Sequence, residues 1–198
     1  TFLFVQCNFV DESKKIETIT TDIGKANNSK ITFENILSDH QKELALTILM
    51  PKNSELAYGK ILLDVFTRLQ KAGIMHDRYR IMDSLGKVCF DLKASEIRAI
   101  IVKKKVYDAD LSLLLNAAYQ DFYNKLSPEI QKQSSYDEFI RHFDKLLTKK
   151  YPTFDGFAFA EIEGEMYVYF SKSNAGKYVS MTFKYDDPTN RIHGCVME

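Results

Sequence analysis

Between residues 31 and 100 the apolar positions change period twice. "ITFENIL" and "ELALTILM" are short runs rich in branched and aromatic side chains, the composition that suits a pleated surface. From Tyr58 the spacing lengthens: Tyr58, Ile61, Leu62, Val65, Phe66 and Leu69 recur at steps of three and four, which makes one apolar stripe of a helix. Asn53 or Ser54 can cap its start, and Gly73 followed by Ile74 supplies a left-handed stop with its apolar contact. "DRYRIMDS" and "KVCFDLKASEI" then alternate as strands around a hairpin turn at Leu85-Gly86. The predicted order over residues 31–101 is β-β-α-β-β.

Residues 101–108 read as a hinge, and a second unit spans 108–198. Leu111, Leu114, Leu115, Ala118, Phe122 and Leu126 form the stripe of its first helix. Ser127-Pro128 ends and redirects that helix, since proline suits a first turn and cannot continue an old one. "SYDE", Ser135 to Glu138, is a capping box. It launches a helix with Tyr136, Phe139, Ile140, Phe143, Leu146 and Leu147 inward, stopped before Pro152. The period then falls to two: "TFDGFAFAEI", "MYVYF", "KYVSMTFKY" and "RIHGCVM" are four strands, joined by short turn-rich connections. Short connections produce an antiparallel meander. The fold class is α+β, in two small domains.

Composition sets limits on this picture. The 198 residues are 45% hydrophobic and 27% charged, as in an ordinary globular protein with enough Phe and Tyr to fill cores. Lys plus Arg equals Asp plus Glu, 27 each, so no net field favours nucleic acid or an anionic bilayer. The one basic cluster, Lys103, Lys104 and Lys105, is too short for a nucleic-acid patch and reads as a solvated linker or strand end. No run of about 18 apolar residues occurs, so membrane attachment would have to come through lipid.

The first seven residues, "TFLFVQC", resemble the end of a bacterial lipoprotein signal, with Leu3 four positions before Cys7. Gln6 departs from that pattern, which places a small residue before the cysteine. The resemblance implies a lipid on Cys7 and an extracytoplasmic protein, membrane-anchored or secreted. Residues 8–30 are polar with no sustained apolar period, so residues 1–30 read as a signal remnant and flexible tether. The alternative is a first strand with Phe2, Phe4 and Gln6 on one face, in a cytoplasmic adaptor. Cys89 and Cys195 read as buried thiols in their strands, with a disulfide between them as the alternative outside the cytoplasm.

Two further stretches resemble known families. "LTILMPKNSELAYGKILLDVFTRLQKAGI", within residues 44–74, is similar to the ExbD/TolR periplasmic domain in its strand, polar turn, Tyr-led helix and Ala-Gly-Ile end. The transmembrane helix that carries that family's functional aspartate is not in this sequence, so no proton-coupled role carries over. The second unit, closing on Ile192-His193-Gly194, resembles small secreted bacterial domains of the cystatin-like or nuclear-transport-factor-two-like class.

Candidate chemistry is sparse. His40, His76, His142 and His193 lack partners at metal-ligand spacing, and no GxSxG, P-loop, GxGxxG or HExxH is present. Neither a metal nor a cofactor is expected. If the second unit encloses a pocket, Tyr119, Tyr123, Tyr167, Tyr169 and His193 are the groups positioned to line it, and the protein would bind a small molecule or act as an isomerase. If the same tyrosines lie on an open sheet face, they suit a protein, peptide or glycan partner, because Tyr offers a large contact area with a polar tip. The second case, a non-catalytic binding module, is the expectation taken forward.

Overall fold

The computed structural model describes residues 2–38, 40–50, 55–147, 156–162, 165–174, 177–186 and 191–197. The expected caps at Asn53 and Ser54, and the stop before Pro152, lie outside them. The protein is α+β and divides into two compact units, Thr1–Ile100 and Ile101–Glu198.

The first unit begins with helix α1, Phe2–Ala26, where a tether or strand was expected. Ile16, Thr20 and Ile23 are 0%, 1% and 1% exposed. Their spacing of four and three is helical; Ile19 is half-buried beside them and Gly24 buried, so the inward face is narrow and has a threonine at its centre. The Thr20 hydroxyl makes that burial tolerable by donating back to the Ile16 carbonyl at 2.9 Å. The polar composition of this segment is its outer face.

After α1 come strands β1, Lys30–Ser38, and β2, Gln41–Leu49, then helix α2, Glu55–Lys71, and strands β3, Arg78–Asp83, and β4, Val88–Lys93. The sheet order is β1-β2-β3-β4. β1 and β2 are antiparallel, β2 and β3 parallel with α2 as the crossover, and β3 and β4 antiparallel. Register puts Ile31 beside Ile48, Phe33 beside Leu46 and Leu46 beside Ile81 on one face. That face is covered: Leu44, Leu46, Ile48 and Ile81 are fully buried, as are Ile61, Leu62, Val65, Phe66 and Leu69 of α2. Each such side chain contributes roughly 1.5–3 kcal/mol by leaving water. The alternate residues, among them Glu43, Arg78, Arg80 and Asp91, form the open face, where Arg78 makes a two-pronged pair with Asp91. Gly73 and Gly86 take the left-handed conformation that the helix stop and the hairpin require.

Strand β4 ends at Lys93, and "ASEI" starts helix α3, Ala94–Leu115. The expected hinge at 101–108 therefore lies inside a helix. So does the lysine cluster: Lys104 pairs with Asp108 one turn on at 2.7 Å and rests 4.8 Å over the Phe157 ring. The segment looked like a linker because the buried edge of α3 is narrow, stepping through Ile97, Ile100, Tyr107, Asp110 and Leu114. The single helix expected from Asp108 through Leu126 is broken at Ala117, which adopts φ +57°. No glycine marks that stop.

In the second unit short helices α4, Tyr119–Tyr123, and α5, Pro128–Gln133, precede α6, Tyr136–Leu147. The Ser127 oxygen accepts from the Ile130 amide, and Ser135 with Glu138 closes the predicted capping box. Strands β5, Gly156–Ile162, β6, Glu165–Asn174, β7, Lys177–Asp186, and β8, Arg191–Met197, form an antiparallel meander in that order. Val168, Phe170, Met181, Phe183, Tyr185 and Ile192 pack with Leu111, Leu114, Phe122, Leu126 and Phe139 into one core. The Ile192 carbonyl accepts from the Ser127 amide, and its amide donates to the Lys125 carbonyl, which ties β8 to the helical layer.

Candidate functional site

The five expected site residues do not come together. Strand alternation decides this: Val168 and Phe170 are 0% and 2% exposed, so Tyr167 and Tyr169 between them face away from the core, each half-buried. Register sets Tyr167 between Ala160 and Lys184, and Tyr169 between Ala158 and Thr182. Both alanines are nearly inaccessible. The outer face thus carries two tyrosines over small neighbours, with Thr182 and Lys184 alongside.

Tyr119 and Tyr123 lie on the other side of that sheet, packed against the core. The Tyr123 hydroxyl donates to the carbonyls of Gln131 at 3.1 Å and Ser134 at 2.8 Å, while Gln131 Nε2 donates back to the Tyr123 carbonyl. Its ring meets Tyr136 and Phe139 edge-on at 5.4 and 5.6 Å. Tyr123 is a tie between the three short helices, with its polar tip already used. His193 is half-buried at the irregularity where β7 and β8 change register, after the Lys184–Gly194 pair. The cavity-lining set is corrected accordingly: two tyrosines face outward, two belong to the helical layer, and His193 marks a bulge.

Of the two readings of the cysteines, the structure supports the thiol for Cys89. Cys89 is not in a disulfide; its thiol donates to the Lys87 carbonyl at 3.6 Å within its own hairpin. Cys195 pairs in register with Phe183, in the other compact unit. Cys7 lies in α1. The side chains of Cys7 and Cys195 are outside the described set.

Asp110 and His76 are among the buried polar side chains that the sequence does not mark. Asp110, 1% exposed, accepts from the Tyr185 hydroxyl at 3.1 Å and stands 3.7 Å from Lys125 Nζ. Burial pushes its pKa up, and Lys125 and Tyr185 oppose that rise. His76, 3% exposed, sits between α2 and β3, where Nε2 meets Asn35 Oδ1 at 2.9 Å. The regular spacing around each, DADL and GIMHD, carried no signal of burial.

The surface opens instead beside α1. A groove of about 600 Å³ lies between α1, which contributes Glu17, Thr21 and Lys25, and the first four residues of β1, Lys30 to Phe33. A second opening of about 680 Å³ adjoins it around Asn28, Leu49 and Met50. Gly24 holds the helix close to the strand here. Its carbonyl accepts from the Ser29 amide at 2.8 Å, and a Cβ on it would stand 2.7 Å from the Ser29 carbonyl oxygen. Among the described residues no group of three or more His, Cys, Asp or Glu side chains could hold a metal, and no helix is long and apolar enough to cross a membrane.

The chain is α+β in two units, with a groove beside α1 among the described residues. No family model matches it, and neither a curated protein nor a solved structure does.

Proposed function

We propose that this chain is a non-catalytic interaction module working outside the cytoplasm, which binds a protein partner through the outer face of its second sheet. The observation that carries this is the alternation along β6. With Val168 and Phe170 filling the core, Tyr167 and Tyr169 stand half-buried on the opposite face of the sheet. Tyrosine adds contact area at low entropic cost, and its hydroxyl stays satisfied in water when the face is empty. The order of short helices and four-stranded meander supports the cystatin-like reading of this unit.

A photo-crosslinking residue at position 169, in cells that make the protein, tests the surface. The expected result is a discrete protein adduct that Tyr167→Ser removes. Equal labelling from position 85, whose leucine is 88% exposed on a hairpin of the other unit, would overturn it. A peptide or glycan partner would show instead as perturbed NMR signals of the Tyr167–Tyr169 segment on titration.

The extracytoplasmic placement rests on the Leu3-to-Cys7 spacing; the tether that also favoured it is helix α1. Intact mass of the protein made from the full-length gene in a bacterial host decides it. A diacylglyceryl-bearing species starting at Cys7 is expected, and an unmodified chain that keeps residues 1–6 would favour the cytoplasmic adaptor.

The Asp110–Tyr185 pair favours a second reading, a small-molecule or isomerase-like pocket, because a desolvated carboxyl beside a phenol is poised for proton transfer. A fragment screen by NMR tests it: hits that move Asp110 or Tyr185 signals would promote that pocket over the sheet face.

A further inference from the structure

We propose that two copies of this chain associate through their β1 edges, antiparallel and centred on Thr32, to make one continuous sheet about a two-fold axis. β1 is an outer strand, nine residues long, with nine consecutive pairs to β2 and no proline or bulge. Among the described residues its backbone bonds to β2 alone. Every second residue of such an edge turns an N–H and a C=O outward, a template for another strand. The groove keeps that edge accessible at Lys30 to Phe33.

The chemistry of the edge is self-complementary, which selects a second copy over an unrelated peptide. In an antiparallel pairing centred on Thr32, Lys30 of each copy falls opposite Glu34 of the other, and Ile31 falls opposite Phe33. Lys30 and Glu34 are exposed and share the open face of the sheet, and neither is in an ion pair within the described residues. Ile31 and Phe33 share the helix-covered face. An isologous contact requires this reciprocity, each residue meeting in its partner the complement of what it offers.

The helical wall of the groove repeats the pattern. Glu17 and Lys25 are exposed and stand four residues either side of Thr21. Thr21 lies about 9 Å along α1 from the turn at residue 27, and Thr32 about 10 Å along β1 from residue 29. A single axis can therefore pass close to both threonines, with Glu17 of one copy on the side of Lys25 of the other. Opposite charges across antiparallel strands stabilise, and like charges directly opposite destabilise.

Sedimentation equilibrium of the 198-residue chain, with circular dichroism to confirm folding, tests the pairing. The chain is expected to dimerise reversibly. Lys30→Glu and Glu34→Lys should each raise the dimer dissociation constant by on the order of ten-fold or more, since each change introduces two repulsive pairs. An equimolar mixture of these two variants should recover dimers, because every facing pair is again opposite in charge; the double variant should recover them alone. A chain that stays monomeric at its highest soluble concentration, or a dimer indifferent to both single reversals, would overturn the proposal.

Discussion

His76 and Asn35 meet at the rim of the first sheet, with imidazole Nε2 2.9 Å from the amide Oδ1. An amide oxygen accepts, so Nε2 carries the proton of the neutral ring. Nδ1 has no hydrogen-bond partner among the described residues, and the Tyr79 ring packs edge-on at 5.7 Å. Burial lowers the pKa of His76 to about 4, with Lys42 adding to the effect and Glu12 and Asp77 opposing it. The unfolded chain therefore takes up this proton near pH 6.5, while the folded chain resists it until about pH 4. Stability attached to the neutral ring is complete above pH 6.5 and lost as the pH falls to 4, at up to about 1.4 kcal/mol per pH unit. Denaturant unfolding of the parent and His76→Leu at pH 7 and pH 4 checks this: the acid-induced loss should be smaller in the variant.

Asp110 has the opposite sign. Its raised pKa means that the fold favours the protonated carboxyl, so this group's contribution is present at low pH and declines as the pH rises through the folded value. Asp110→Asn, which keeps an acceptor for Tyr185, should leave stability at pH 7 unchanged or increased. Tyr185→Phe should reduce it by about 1–3 kcal/mol, because a buried carboxylate then loses its donor. Urea midpoints at pH 7 separate these outcomes, and a large loss in Asp110→Asn would contradict the assignment.

Two glycines should respond to alanine for different reasons. In an open helix Gly→Ala gains up to about 1 kcal/mol. At Gly24 the new Cβ would stand 2.7 Å from a backbone oxygen, so Gly24→Ala should destabilise despite its helical setting. At Gly73 nothing lies within 4 Å, but φ is +73°, and strain alone should cost about 1 kcal/mol. Thermal unfolding reads both, and a stabilised Gly24→Ala would show that α1 can move off β1.

The facing of β6 predicts an asymmetric mutational pattern. Phe170→Ala empties a core position between Phe157 and Phe183 and should cost about 3–5 kcal/mol. Tyr169→Ser, on the other face, should cost a fraction of that. Comparable losses at both positions would mean that the outer face is itself packed.

The legible elements were those with wide, regular stripes. Helix α2 shows five fully buried positions at steps of three and four, and the capping box at Ser135–Glu138 is a local bond pattern written in four residues. The β5–β8 meander follows from period-two runs with short connections. Helix α1 was obscured because its inward face is short and mixed: Ile16, Ile19 and Ile23 share it with Thr20 and Gly24, amid a polar stretch. The break at Ala117 was obscured because alanine favours helix and no glycine announces the backbone stop, in which the Ala118 amide donates to the Leu113 carbonyl and the Ala117 amide to that of Leu114.

Sequence by itself determined the α+β class, helix α2, the capping box at Ser135–Glu138 and the alternation along the strands, since these depend on neighbours within four residues or on period. It left open which parity faces inward. Only the tertiary structure decided that Val168 and Phe170 are core and Tyr167 and Tyr169 surface, that Cys89 is not in a disulfide, and that Asp110 and His76 are buried. Those facts depend on what covers each face, and the covering elements lie far away in the chain: Tyr185 reaches Asp110 across 75 positions, and Asn35 meets His76 across 41.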